Sequence, residues 1–340
     1  MSKRQTLLDI ANRAGVSPRT VSNVVNGYVP VSDKLRLRVE QAVDDLGYRP
    51  NFMARSLRNG RTGLIALVVP EIDVPYFAEL ARTIIEAADA LGYRVMIDQT
   101  DGQITRERTH IAKATQSTLF EGIIFSPLAL SSSDLAEVAG NTPFVILGEH
   151  PYEGRFDHVA LDNIAAASDV IAHLHAIGRR RIAAIGQGMG PGDGTKQLRF
   201  EGYVRGLREQ GLEFDPALAP QSSFTHRELG FDATIQLLES TDFDALFCFS
   251  DLVAVGAMRA LVSRGVRVPE DVAVVGWDNI TEASFSNPPL TSVSPDKAQL
   301  ASTTLAYLID RMADVAIPPR DFVVAHTLEV RESSVGTPAL

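Results

Sequence analysis

The stretch TLLDIANRAGVSPRTVSNVVNG, residues 6–27, decides how the front of the chain folds. Thr6 precedes a run in which Leu7, Ile10, Ala11 and Ala14 recur at helical spacing, so its hydroxyl can cap a helix. Asp9, three residues on, suits the positive end of that helix. Gly15 stops the helix, because a left-handed residue costs glycine least. Ser17 then caps a second helix with Pro18 at its first position, where a missing N–H costs nothing. Val21, Val24 and Val25 form its inward stripe. Further along, Ser32 or Asp33 opens a third helix with Leu35, Val39, Val43 and Leu46 on one face and Gly47 as its stop. Two helices joined by a short turn and braced by a third make a helix-turn-helix headpiece, residues 1–49. The next segment, residues 50–62, contains NFMARSLRNGRT, which is too short and basic to build a core. It is a linker that becomes helical only when something holds it.

Charge divides the chain at the same place. Residues 1–62 hold eleven Lys or Arg against five Asp or Glu, whereas the remainder holds 21 against 37. A basic front on an acidic body suits a module that displaces counterions from phosphates while the body is repelled by the same polymer. A solvated helical surface is the plainer reading of such charge. The apolar run at 64–69 is far shorter than a bilayer span, and MSKRQTLLDIANRAG lacks the apolar core of a signal peptide, so a soluble, cytoplasmic protein without a membrane partner is expected. The single cysteine, Cys248, lies in the apolar run ALFCFS and is expected to be a small buried residue. The seven histidines show no zinc spacing, His173 and His175 reading as surface or packing residues of a helix, and no metal or cofactor is expected.

After Gly63 the pattern changes. Apolar runs at 64–69, 93–98, 122–126, 143–147, 158–162, 181–186, 245–250 and 272–278 alternate with amphipathic stretches at 76–91, 165–177, 199–210, 228–238 and 252–264. Continuous apolar strands alternating with helices mean parallel sheets covered on both faces. So long a body, residues 63–340, divides into two doubly wound lobes, with ligands expected at the carboxyl ends of the strands. The glycine-rich segment GQGMGPGDGTKQ, 186–197, fits neither a dinucleotide nor a P-loop spacing and reads as a flexible cleft loop.

The segments TLLDIANRAGVSPRTVSNVVNG, LGYRPNFMARSLRNGRTGLIALVVP, VPYFAEL, FSDLVAVGAMRAL, VAVVGWDN and PPLTSV, in this order, resemble the lactose-repressor (LacI/GalR) family of bacterial regulators over nearly the whole chain. The resemblance implies an α/β protein: a three-helix headpiece, a hinge helix, and a two-lobed domain like a periplasmic sugar-binding protein. It implies a repressor that grips a palindromic operator as a homodimer under control of a small effector, a sugar being expected. By this likeness Pro18, Arg19 and Asn23 read bases: Arg19 by forking onto guanine O6 and N7, Asn23 on an adenine edge or a phosphate, Pro18 by apolar contact. Thr6, Leu7, Ser17, Thr20, Ser22 and Asn26 are placed for phosphates, with simple capping the plainer role of Thr6 and Ser17. In the hinge, Asn51, Ala54, Arg55 and Leu57 face the minor groove, with Leu57 wedging a base step; burial under the body is its alternative.

The same likeness puts the effector among Asp73, Tyr76, Phe77, Phe125, Ser126, Arg199, Phe224, Asp251, Trp277 and Asp278. Aromatic rings stack on the ligand, Arg199, which opens the helix RFEGYVRGL, makes paired hydrogen bonds, and Asp278 accepts from hydroxyls or ring N–H groups. The competing roles are core packing for Tyr76, Phe77 and Phe224, capping for Asp73 and Asp251, and an inter-lobe ion pair for Arg199 with Asp278. Two positions depart from the family: Ser250 stands where many sugar-responsive members have Asn, and Leu147, Gly148, Glu149 and His150 replace a frequent aspartate-arginine pair. A solute-binding protein and an α/β enzyme are the rival functions. The basic headpiece speaks against the first, and the lack of a nucleophile elbow or triad order against the second. The tail RESSVGTPAL carries no leucine heptads, so no tetramerising coiled coil is expected.

Overall fold

Helix caps and glycine stops set the headpiece. A computed structural model describes residues 5–26, 31–48, 62–148, 154–187, 194–221 and 226–336, and divides into two units, Met1–Thr62 and Gly63–Leu340. In the first, α1 (Leu7–Ala14) is capped by Thr6 in a capping box with Asp9: the Asp9 N–H donates to the Thr6 hydroxyl, and the Thr6 N–H donates back to the Asp9 carboxylate at 2.8 Å. Gly15 closes it at φ 62°. α2 (Pro18–Asn26) and α3 (Asp33–Asp45) complete the trio. Their core is small: Ile10, Ala11, Ala14, Val21, Val39 and Ala42, with Leu7, Val24, Val25, Val43 and Leu46 packed against it.

The second unit is two sheets. The first lobe has six parallel strands: β1 (Leu64–Val69), β2 (Arg94–Gln99), β3 (Gly122–Phe125), β4 (Phe144–Leu147), β5 (Asp157–Leu161) and β10 (Asp321–Val324), in the order β10-β5-β4-β3-β1-β2. The second lobe has β6 (Ile182–Ile185), β7 (Ala245–Cys248), β8 (Ala273–Trp277), β9 (Thr291–Pro295) and β11 (His326–Glu329), in the order β11-β9-β8-β7-β6, with only β11 antiparallel. All eight apolar runs are strands. The reason is visible in β1: Ile65, Leu67 and Val69 enter one core and Ala66 and Val68 another, so both faces are buried and no polar alternation survives.

Around the first sheet lie α4 (Pro75–Ala90), α5 (Ile104–Gln116), α6 (Ser132–Ala139) and α11 (Lys297–Ala313); with the second sheet go α7 (Asn163–Ala176), α8 (Gly194–Glu209), α9 (Arg227–Ser240), α10 (Asp251–Ser263) and the short α12 (Glu332–Val335). The chain crosses between lobes three times, after β5, after β9 and between β10 and β11. Helix pairs in the second lobe meet through glycine. A Cβ on Gly256 of α10 would stand 1.9 Å from the Arg227 carbonyl oxygen, and one on Gly230 of α9 2.0 Å from that of Val253. Cys248 is buried in β7. No helix among the described residues is long and apolar enough to cross a membrane.

Candidate functional site

Sheet order decides what can meet in the cleft. Neighbouring strands β4, β3 and β1 end at Leu147, Phe125 and Val69, so Gly148, Ser126 and Pro70 come together at one edge; in the second lobe β7 and β8 deliver Phe249, Ser250 and Asp278. A cavity of about 180 Å³ lies between these edges, lined by Tyr76, Phe77, Ser126, Arg199 and Asp278 among others. Three helices, α4, α8 and α10, start at its wall, so their positive ends favour electronegative ligand atoms. A smaller recess of about 10 Å³ continues from Tyr76, Gly148, Arg199 and Asp278 toward Trp277, Leu161 and Pro295, next to the first two crossovers.

Arg199 is held from three sides. Its Nε donates to Asn163 Oδ1 at 2.8 Å, one terminal nitrogen donates to the Phe249 carbonyl, and the guanidinium lies 4.2 Å from the centre of the Trp277 ring. A planar cation so fixed offers its remaining N–H groups in one orientation. Asp278 follows β8 at φ 108° and Asn279 follows it at φ 45°. Two consecutive non-glycine residues there store roughly 1–3 kcal/mol each, held by the Asp278 N–H to Val293 O at 2.9 Å and the Asn279 N–H to the Ser292 hydroxyl at 3.0 Å.

The other expected effector residues fall elsewhere. Asp73 is exposed and does not line the cavity, and Phe125 is wholly buried in the core behind it. Asp251 is also buried: it accepts from the Ser292 hydroxyl at 2.7 Å and the Ile280 N–H at 2.9 Å, bracing the Asp278 turn from below. Burial pushes its carboxyl up to about 7, against those two hydrogen bonds. Trp277 is 0% exposed and contributes its ring face beneath Arg199. Phe224 lies outside the described residues. Arg199 does not open its helix: α8 begins at Gly194, so Gly194 to Gln197 are helical rather than loop, and Thr195 and Lys196 line the cavity as well. Ser250 caps α10 through the Val253 N–H.

In the headpiece Pro18 and Arg19 are exposed at the start of α2, whose cap is Ser17, its hydroxyl accepting from the Thr20 N–H at 3.1 Å. Thr6 is exposed, Asn23, Thr20 and Leu7 are half-buried, and Ser22, expected at a phosphate, is only 4% exposed. The side chain of Asn26 and the hinge residues Asn51, Ala54, Arg55 and Leu57 lie outside the described residues.

Residues 6–51 match the pattern of bacterial regulatory proteins, lacI family, and residues 171–334 that of a periplasmic binding protein-like domain. The chain is 34% identical to the HTH-type transcriptional regulator DegA of Bacillus subtilis (strain 168), over 86% of each protein. The chain belongs to the lacI family of bacterial regulators. This LacI-family regulator is also similar to two solved structures. The lac repressor dimer bound to operator and the anti-inducer ONPF is 27% identical, with TM-score 0.85, covering 98% of this chain and 100% of that one. The transcriptional regulator CelR in complex with cellobiose is 31% identical, with TM-score 0.72, covering 97% and 100%.

Several residues that support the LacI-family cleft escape a reading of motifs. Glu107 of α5 is wholly buried, and its carboxylate accepts from the Leu128, Ala129 and Leu130 N–H groups at 2.7 to 3.2 Å, fixing the loop that brings Leu128 to the cavity. Its signal was an acid at a core position beside Ile111 and Ala114. His158 pins the Gly148 carbonyl at the junction of the two cavities. Glu79, from the first lobe, accepts from Thr281 in the second. Burial raises its carboxyl, but hydrogen bonds from Lys297 and Thr281 outweigh that and leave it below the ordinary carboxylate range.

Proposed function

We propose that this regulator is a repressor that holds a palindromic operator as a homodimer and is switched by a small polar molecule, a sugar or a close analogue, bound between its lobes. The observation that carries the reading is the joint presence in one chain of an exposed Arg19 on a capped recognition helix and of a cleft where Arg199 and Asp278 face aromatic Tyr76 and Phe77. Arg19 forks onto a guanine, Asn23 and Pro18 contact neighbouring bases, and Thr6, Leu7, Ser17, Thr20 and Asn26 serve the phosphate backbone. Leu57, with Asn51, Ala54 and Arg55, wedges the minor groove. In the cleft the flat face of the ligand lies on the aromatic rings, Arg199 donates, and Asp278 accepts from hydroxyls; Ser126 adds a further polar contact. Asp251, Trp277 and Phe125 act behind the wall.

The similar structures holding operator, ONPF and cellobiose support the partner classes. A pair of chains is supported by apolar side chains left exposed on edge strand β2, Met96 and Ile97, and on neighbouring α4 and its C-cap, Ile85 and Leu91. Ligand capture changes the angle between lobes and so the population of the DNA-competent state.

The test is a titration of the purified protein against inverted-repeat duplexes at two salt concentrations. Arg19→Ala relaxes one position in each half-site by about 1–3 kcal/mol. Arg199→Ala keeps operator affinity and loses the response to ligand. Binding that depends steeply on salt yet prefers no sequence would reduce the headpiece to a generic basic arm.

A further inference from the structure

The turn that carries Asp278 into the cleft is gripped from the opposite lobe. Glu79 lies on α4 one helical turn beyond Tyr76. One of its carboxylate oxygens accepts from the Thr281 N–H at 2.7 Å and the Thr281 hydroxyl at 2.8 Å; the other accepts from the Lys297 ammonium at 2.5 Å. Lys297, just past the second crossover, also donates to the Asn279 carbonyl at 3.0 Å and sits 5.9 Å from the centre of the Tyr76 ring. A carboxylate of the first lobe, a cation at the crossover and the backbone of the second lobe thereby close a ring of contacts. It is well shielded, the Glu79 and Lys297 side chains being 21% and 16% exposed. Between Asp278 and Thr281 stand only Asn279 and Ile280, and both are tied: Asn279 Oδ1 accepts from Arg331 at 2.7 Å, and the Ile280 N–H donates to Asp251. A turn bound at every residue transmits a displacement instead of absorbing it.

We propose that Glu79 and Lys297 are positioning residues: they clasp the lobes together on the hinge side of the cleft and set where the Asp278 carboxylate stands. The regulatory consequence rests on reading the cleft as the effector site, because a ligand held by Asp278 and a clasp held by Thr281 act on one short turn. Release of the clasp opens the cleft, lowers the population of its closed form, and weakens ligand capture in proportion.

The clasp can be tested without effector or DNA. Trp277, the only tryptophan in the chain, lies buried in the recess between the lobes, so an opened cleft admits a quencher to it. In the purified full-length protein, acrylamide quenching of this emission should rise at least twofold in Lys297→Met and in Glu79→Gln, whereas Lys297→Arg, which keeps the cation, should quench like the wild type. Circular dichroism checks the fold of each variant. Glu79→Gln, which keeps the side chain's size but removes the charge paired with Lys297, decides the matter should Lys297→Met fail to fold. Wild-type quenching in a folded Lys297→Met or Glu79→Gln protein overturns the proposal, and so does raised quenching in Lys297→Arg equal to that of Lys297→Met. Failure of the wild-type protein to select an inverted repeat would sink the functional reading and leave the quenching result standing.

Discussion

A carboxylate sealed under the cleft has a measurable cost. Asp251 binds its proton more tightly folded, with the carboxyl pushed up to about 7, than in the unfolded chain, where about 3.9 is ordinary. The contribution to stability is therefore greatest at acid pH and is lost as pH rises from about 4 to 7. From pH 5 to pH 8 this one group should remove about 3 kcal/mol, at about 1.4 kcal/mol per unit. Asp251→Asn keeps an oxygen for the Ile280 N–H and an amide for the Ser292 hydroxyl, and has no such slope. Urea unfolding at both pH values should show the variant gaining on the wild type at pH 8, and parallel curves would mean that Asp251 stays ionised throughout. At this scale legibility follows sequence distance. Tyr76, Phe77 and Asp278 sit in short segments that gain meaning only from their joint order and spacing, Ser126 and Arg199 stand at the end of an apolar run and in an amphipathic one, and all five line the cavity. Glu79 with Lys297 and Thr281, 218 and 202 residues apart, make a pair and a bond that no local pattern announces.

The elements repeat the lesson in another form. Strands buried on both faces announce themselves as apolar runs, but β9 does not: Thr291 and Ser292 are buried and polar, and are satisfied by the last helix and by Asp251. The Thr291 N–H donates to the Ser333 hydroxyl at 2.8 Å, and the Ser292 hydroxyl to the Asp251 carboxylate. β10 and β11, four residues each at sheet edges, are too short and too wet to show a period. Helix α8 began five residues before Arg199 because Gly194 to Leu198 carry little apolar pattern. The glycine contacts between α9 and α10 were equally hidden. Gly256→Ala sets a methyl group against a backbone carbonyl that cannot rotate away, and should cost about 3 kcal/mol, read as a lowered melting temperature; a neutral result would show that the helices can slide apart freely. Glu107→Ala should lose about as much, since three N–H groups of a covered loop lose their acceptor, while Glu107→Gln restores part of it.

On the scale of the whole molecule, charge and core size separate the two units. The front carries eleven basic residues against five acids on a core of six buried side chains among the described residues, so it is strongly attracted to a polyanion and thermodynamically slight. Val39→Ala, at the centre of that core, should destabilise the headpiece by about 2 kcal/mol, seen as faster amide exchange in residues 7–45 and unchanged exchange in the sheets. Equal loosening of both units would mean that they unfold as one. The three crossings of the body have a last consequence, for the order in which a ribosome can complete it. The three headpiece helices are complete once Asp45 has emerged, and the second lobe waits for β11. The first lobe, though it begins at residue 64, lacks α11 and β10 until residue 324 has been made. Until β10 has been made the nascent protein therefore exposes an unfinished first sheet behind a finished headpiece, and chaperone dependence in the cell should be set by the segment that carries β10 and β11.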